Sequence, residues 1–83
     1  MVYEIRWTVI ASKQFDRLDR TIQKRITEQL ASTRENPFVH ASRLVGFDAY
    51  KIRIGDYRII VSIERNMLVI LVLKVGHRKS VYK

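Results

Sequence analysis

The dipeptide Gly55-Asp56 constrains this chain more than any other feature. It separates two runs that alternate in character, Tyr50-Lys51-Ile52-Arg53-Ile54 and Tyr57 to Ile63. A glycine at the first central position of a two-residue loop suits a type II′ β-hairpin. Such a loop fixes the register, so that Ile54 faces Tyr57, Arg53 faces Arg58 and Lys51 faces Ile60. Successive side chains point to opposite faces of a strand. One face then receives Tyr50, Ile52, Ile54, Tyr57, Ile59, Val61 and Ile63, which is a core face. The other receives Lys51, Arg53 and Arg58. Like charges set directly opposite one another cost up to about 1 kcal/mol, and their retention here points to an anion held between them. The inference depends on the turn, since a slip of one residue would move every side chain to the other face.

A third strand is expected from Met67 to Val75, after a turn at Arg65-Asn66, where asparagine tolerates positive φ. Its nearly continuous apolar character fits a strand that is central or covered on both faces. If it runs past Gly76 without a bulge, the parity of Leu71, Leu73 and Val75 places His77 on the basic face. Upstream, Val2 to Thr8 alternates as a half-buried strand, with Tyr3, Ile5 and Trp7 on one side. Ala11, Phe15 and Leu18 then follow helical spacing, with Ser12 as a candidate cap. Ile22, Ile26, Leu30 and Thr33 continue that spacing from a second candidate cap, Thr21. These segments read as two helices broken near Asp19-Arg20-Thr21, or as one long bent helix. Asn36-Pro37 ends the second, because proline disfavours helix in the residue before it. Phe38 to Ala49 connects to the hairpin and carries a short strand near Arg43-Leu44-Val45. Trp7, Phe15 and Phe38 are expected in the core. The order β-α-α-β-β-β predicts an α+β fold, with two helices packed on one face of a mainly antiparallel four-stranded sheet.

Eighty-three residues make one domain, spanning 1–83. The chain has no cysteine and only two histidines. That excludes disulfides, thiolate metal sites and cysteine nucleophiles, and neither a metal site nor a cofactor is expected. No long uncharged apolar run or signal peptide is present, so the expected location is the cytoplasm. The formal net charge is +8, from sixteen Lys and Arg against eight Asp and Glu. On so small a domain this charge suggests a polyanionic partner: RNA, DNA, a membrane surface or an acidic protein. The candidate constellation is Lys51, Arg53, Arg58, Arg78 and Tyr82, with His77 beside it. Arginine offers a planar fork to phosphate oxygens, lysine a point charge, and Tyr82 a ring on which a base can stack. Such a group can stabilise the added negative charge of a pentavalent phosphorane.

The run Tyr50-Lys-Ile-Arg-Ile-Gly-Asp-Tyr-Arg-Ile-Ile-Val, followed by Val75-Gly-His-Arg-Lys-Ser-Val-Tyr82, resembles the RelE/ParE superfamily of toxins. It is most similar to RelE-type toxins, including archaeal ones. The resemblance implies a toxin of a toxin–antitoxin pair that acts on ribosomes as a metal-independent mRNA interferase, cutting the A-site codon and so inhibiting translation. It also implies a RelB-like cognate antitoxin in a hetero-oligomeric complex, and no membrane partner. Carried over by motif, Lys51 would help to activate the 2′-hydroxyl, Arg53 and Arg58 would bind the transition-state phosphate, and Arg78 would aid the leaving 5′-oxygen. Tyr82 would stack on or orient a base; His77 and Lys79 are further candidate RNA-binding residues, with no family role carried over to His77. Arg53 stands where the best-known members carry lysine, so only a charge role transfers to it. The hairpin turn is shorter than in those members, and a tail ending at Lys83 leaves no further C-terminal helix. The same fold implies a second activity class, a ParE-like toxin that binds DNA gyrase and cleaves nothing. A plain nucleic-acid-binding module is a third.

Overall fold

The computed structural model describes residues 2–77. Among these the chain runs β1 (Glu4–Trp7), α1 (Val9–Asp16), α2 (Arg20–Thr33), α3 (Pro37–His40), β2 (Ser42–Arg43), β3 (Tyr50–Ile54), β4 (Tyr57–Glu64) and β5 (Val69–His77). The strands form one sheet in the order β1-β5-β4-β3-β2. The α+β class is as expected. The extra strand is the two-residue β2, and the extra helix is the single turn α3. β1 pairs with β5 in parallel, and every other pairing is antiparallel. β5 is therefore interior, as its apolar run suggested.

The helices begin earlier than their candidate caps. Thr8, not Ser12, caps α1, its hydroxyl accepting from the Ala11 N–H at 3.1 Å. Asp19, not Thr21, caps α2, accepting from the Ile22 N–H at 3.0 Å. Both caps have extended backbone, as an N-cap requires. The break between the helices is real, and Gln23 ties it by donating to the Phe15 carbonyl at 2.9 Å. α2 closes at Thr33, whose buried hydroxyl donates to the Leu30 carbonyl at 2.7 Å. Pro37 then opens α3 rather than merely following α2. Its missing N–H is no loss in a helix's first turn.

Ala11, Ile26 and Leu30 from the helices pack on Ile52, Ile54, Ile59, Val61, Ile70, Val72 and Val75 from the sheet. Trp7 and Phe15 meet edge-on at 5.0 Å against this core. Phe38 is half-buried, with its ring 5.6 Å from that of Tyr50 and the Arg65 guanidinium 4.3 Å above it. A second, smaller apolar cluster lies on the other sheet face, where Leu44 and Ala49 cover Ile60 and Leu73.

Two local features differ from expectation. Glu64 pairs with Val69, so four residues, not two, turn β4 into β5. Leu68, not Asn66, takes the left-handed conformation, at φ 53°. Its side chain packs against the core and its carbonyl accepts from the Glu4 N–H at 2.8 Å, which offsets the backbone strain. The second difference is a β-bulge. Ile60 pairs with Lys74 and Val61 with Val72, leaving Leu73 as the extra residue. Without it Lys74 would lie opposite Ile59, inside the core. The bulge keeps that charge in water and turns Val75 inward, where it is 3% exposed.

Candidate nucleic-acid interface

The hairpin forms in the expected register: Ile54 pairs with Tyr57, Arg53 with Arg58 and Lys51 with Ile60. Gly55 has φ +57° and Asp56 is not in positive φ, as a type II′ turn requires. Paired residues share a face, so Arg53, Arg58 and Lys51 stand together on the face opposite the main helical core. Ser42 joins them by pairing with Lys51. Lys51, Arg53 and Arg58 line a recess of about 340 Å³, together with Ser42 and with His40 from the end of α3. Among the described residues no carboxylate lines it. Arg53 also borders a second recess, of about 360 Å³, with Arg25, Glu28 and Gln29 of α2. It stands there at an open sheet edge, because β2 reaches only Tyr50 and Lys51.

His77 is not on this face. It pairs with Tyr57, and the two rings meet edge-on at 5.7 Å. Tyr57 belongs to the row of Ile59 and Val61, so the bulge at Leu73 has moved His77 to the helix-side face. The parity argument failed there because the irregularity falls at Leu73 rather than at Gly76. Arg78, Lys79 and Tyr82 lie outside the described residues. Sequence reasoning overlooked Ser42, His40 and Lys74 near the cationic face. Ser42 and His40 gave no signal, and Lys74 is legible only once the bulge is known.

The frame beneath these side chains is tied to α1. β5 outruns its parallel partner after Val72, which would leave its far edge bare. α1 supplies the missing partners. The Thr8 hydroxyl donates to the Leu73 carbonyl at 3.3 Å, and Gln14 Oε1 accepts from the Val75 N–H at 2.8 Å. Elsewhere on the sheet two polar side-chain contacts are made. Ser62 donates to Glu64 at 2.6 Å, and Arg43 lies 3.7 Å from Asp48. Among the described residues no three of His, Cys, Asp or Glu gather as metal ligands, and no helix is long and apolar enough to cross a membrane.

The fold matches those of solved RelE toxins. A mutant of the Escherichia coli toxin RelE in the free state superposes with a TM-score of 0.85 at 26% identity, covering 96% of this chain and 87% of that one. A mutant of the same toxin in complex with an antitoxin RelBc peptide gives 0.82 at 28% identity, covering 93% and 84%. The mRNA interferase toxin RelE of Escherichia coli K12 is 28% identical over 82 residues, 95% of this chain and 86% of that protein. A family model described as the ParE toxin of type II toxin–antitoxin systems matches residues 5–82. The chain belongs to this family of toxins, and within it is of the RelE type.

Proposed function

We propose that the protein is a ribosome-dependent endoribonuclease that cleaves mRNA in the A site and so inhibits translation. The observation that supports this most is the cross-strand pair Arg53–Arg58, set with Lys51 around a recess that no carboxylate lines among the described residues. The 2′-oxygen attacks the adjacent phosphorus, forming the O2′–P bond as the P–O5′ bond breaks. The products are a 2′,3′-cyclic phosphate and a 5′-hydroxyl. The 2′-hydroxyl proton passes to water, the Lys51 ammonium easing its loss by stabilising the oxyanion, and the leaving 5′-oxygen takes a proton from water with help from Arg78. Arg53 and Arg58 hold the phosphorane's equatorial oxygens, where charge grows in the transition state. Tyr82 orients a base and Lys79 adds an RNA contact, while His77, on the helix-side face, is left out of this set. This cation set stabilises the phosphorane but does not align the 2′-hydroxyl by itself. The ribosome supplies that alignment by holding the message, so free RNA is cut weakly or not at all.

The proposal includes a RelB-like antitoxin that neutralises the toxin in a hetero-oligomer. β1 is an edge strand. Beside it lies a recess of about 660 Å³ floored by Ile5, Trp7, Phe15 and Leu30, a shape suited to a partly apolar antitoxin segment. The name of the matching family model favours one other reading, inhibition of DNA gyrase by binding. Programmed ribosomes and a gyrase supercoiling assay, run side by side, separate the two. Cleaved message with a 2′,3′-cyclic end supports the nuclease. Gyrase inhibition with intact message replaces it by the gyrase-binding reading.

A further inference from the structure

We infer that Lys74 is a substrate-binding residue, holding a backbone phosphate next to the one being cleaved. The inference rests on the proposed RNA-cleaving function and deepens it. Lys74 comes to the cationic face only through the bulge. Leu73 and Lys74 both stand opposite Ile60, with Leu73 packing on Ile60 and Lys74 left exposed. Ile60 also pairs with Lys51. One row across the sheet therefore reads Ser42, Lys51, Ile60, Lys74, and the next reads Arg53, Arg58, Gly76.

Arg58 and Lys74 are diagonal neighbours, with backbones roughly 7–8 Å apart. The residue directly across from Arg58 is Gly76, which has no side chain to fill the space between them. Lys51 and Lys74 lie two strand spacings apart, about 10 Å. The three cations thus surround Ile60 instead of converging on one point. That geometry suits successive phosphates of a single strand better than one anion.

The placement of Lys74 is also fixed. The carbonyl before it accepts from Thr8 and the N–H after it donates to Gln14, so α1 pins the backbone on both sides. As a compact ammonium on a flexible stem, Lys74 suits a phosphate whose position shifts little during the reaction. Its contribution is to binding, while Arg53 and Arg58 serve the transition state.

The test uses a single-stranded 2′-O-methyl oligoribonucleotide, which lacks the attacking hydroxyl, and message on programmed ribosomes. Binding is followed by fluorescence anisotropy over a range of salt. Lys74→Gln should weaken binding about 3- to 10-fold and flatten the plot of log affinity against log salt by about 0.7, the loss of one single-strand phosphate contact. On ribosomes it should raise KM while kcat stays within about twofold, the pattern of lost uniform binding. Lys74→Arg should restore both, and thermal melts should show all three proteins equally folded. An unchanged salt slope and KM for Lys74→Gln, with the wild type binding and cutting normally, overturns the inference and leaves the proposed function standing. A wild type that neither binds the oligonucleotide nor cuts the message overturns both.

Discussion

Replacing Arg53 by glutamate should make the protein more stable and less active at once. In a two-residue hairpin the residues flanking the loop exchange both hydrogen bonds, here Ile54 and Tyr57. Arg53 and Arg58 therefore occupy the next, non-hydrogen-bonded site, where paired Cα atoms are only ~4.5 Å apart and side chains approach closely. Two unit charges ~6 Å apart in a water-like dielectric interact by roughly 0.7–0.9 kcal/mol. Arg53→Glu turns that repulsion into attraction, and screening at physiological salt cuts the swing to about 1 kcal/mol or less. Arg25 and Glu28, which border Arg53 on its other side, carry opposite charges and offset one another. In a domain of this size 1 kcal/mol moves Tm by about 4–8 °C. Melts followed by circular dichroism in 20 mM and 1 M salt should show Arg53→Glu several degrees above the wild type at low salt, with Arg53→Gln between them. The gap should close in 1 M salt, where the Debye length is about 3 Å. RNA binding should be lost in the glutamate variant. A lower Tm for Arg53→Glu at low salt would refute this, because it would mean that the guanidinium serves the fold.

Gly55→Ala should cost about 1–2 kcal/mol, since alanine at φ +57° is strained and its Cβ would lie 3.1 Å from the Arg25 guanidinium; urea unfolding measures it. Gln14→Leu should destabilise the domain by roughly 1 kcal/mol by orphaning the Val75 N–H, and amide exchange should quicken at Val75 before it does at Val72. Calorimetry with the purified antitoxin should give tight binding with a negative heat-capacity change, as coupled folding on a partly apolar surface does. Absence of binding would remove the antitoxin from the account.

Most of the hairpin was readable from residues alone, because one glycine and a strict alternation decide its register and both faces follow. The α+β class followed from the change of period between Trp7 and Ala11. What was not readable depends on contacts between distant segments. The parallel pairing of β1 with β5 joins the two ends of the fold and leaves no local mark. The bulge at Leu73 exists because Lys74 and Val75 could not otherwise reach water and core respectively, a conflict visible only when β4 is laid beside β5. That one irregularity misplaced His77 and hid Lys74. Thr8 and Asp19 were passed over as caps because each sits at the edge of a pattern, where the backbone and not the periodicity decides where a helix begins. Leu68 in a left-handed conformation had no signal, since the core contact that offsets its strain comes from the tertiary fold.

The account rests on Arg58 as a transition-state charge partner, and primer extension on translating ribosomes tests it most directly. With chelator present and polyamine keeping the ribosomes intact, wild-type protein should still cut the message in the A site. Arg58→Ala should cut it more slowly by on the order of 10²-fold or more, with a cooperative melt showing that it is folded. Full-rate cutting by Arg58→Ala would contradict the account, as would cutting that stops when metal is removed from intact ribosomes.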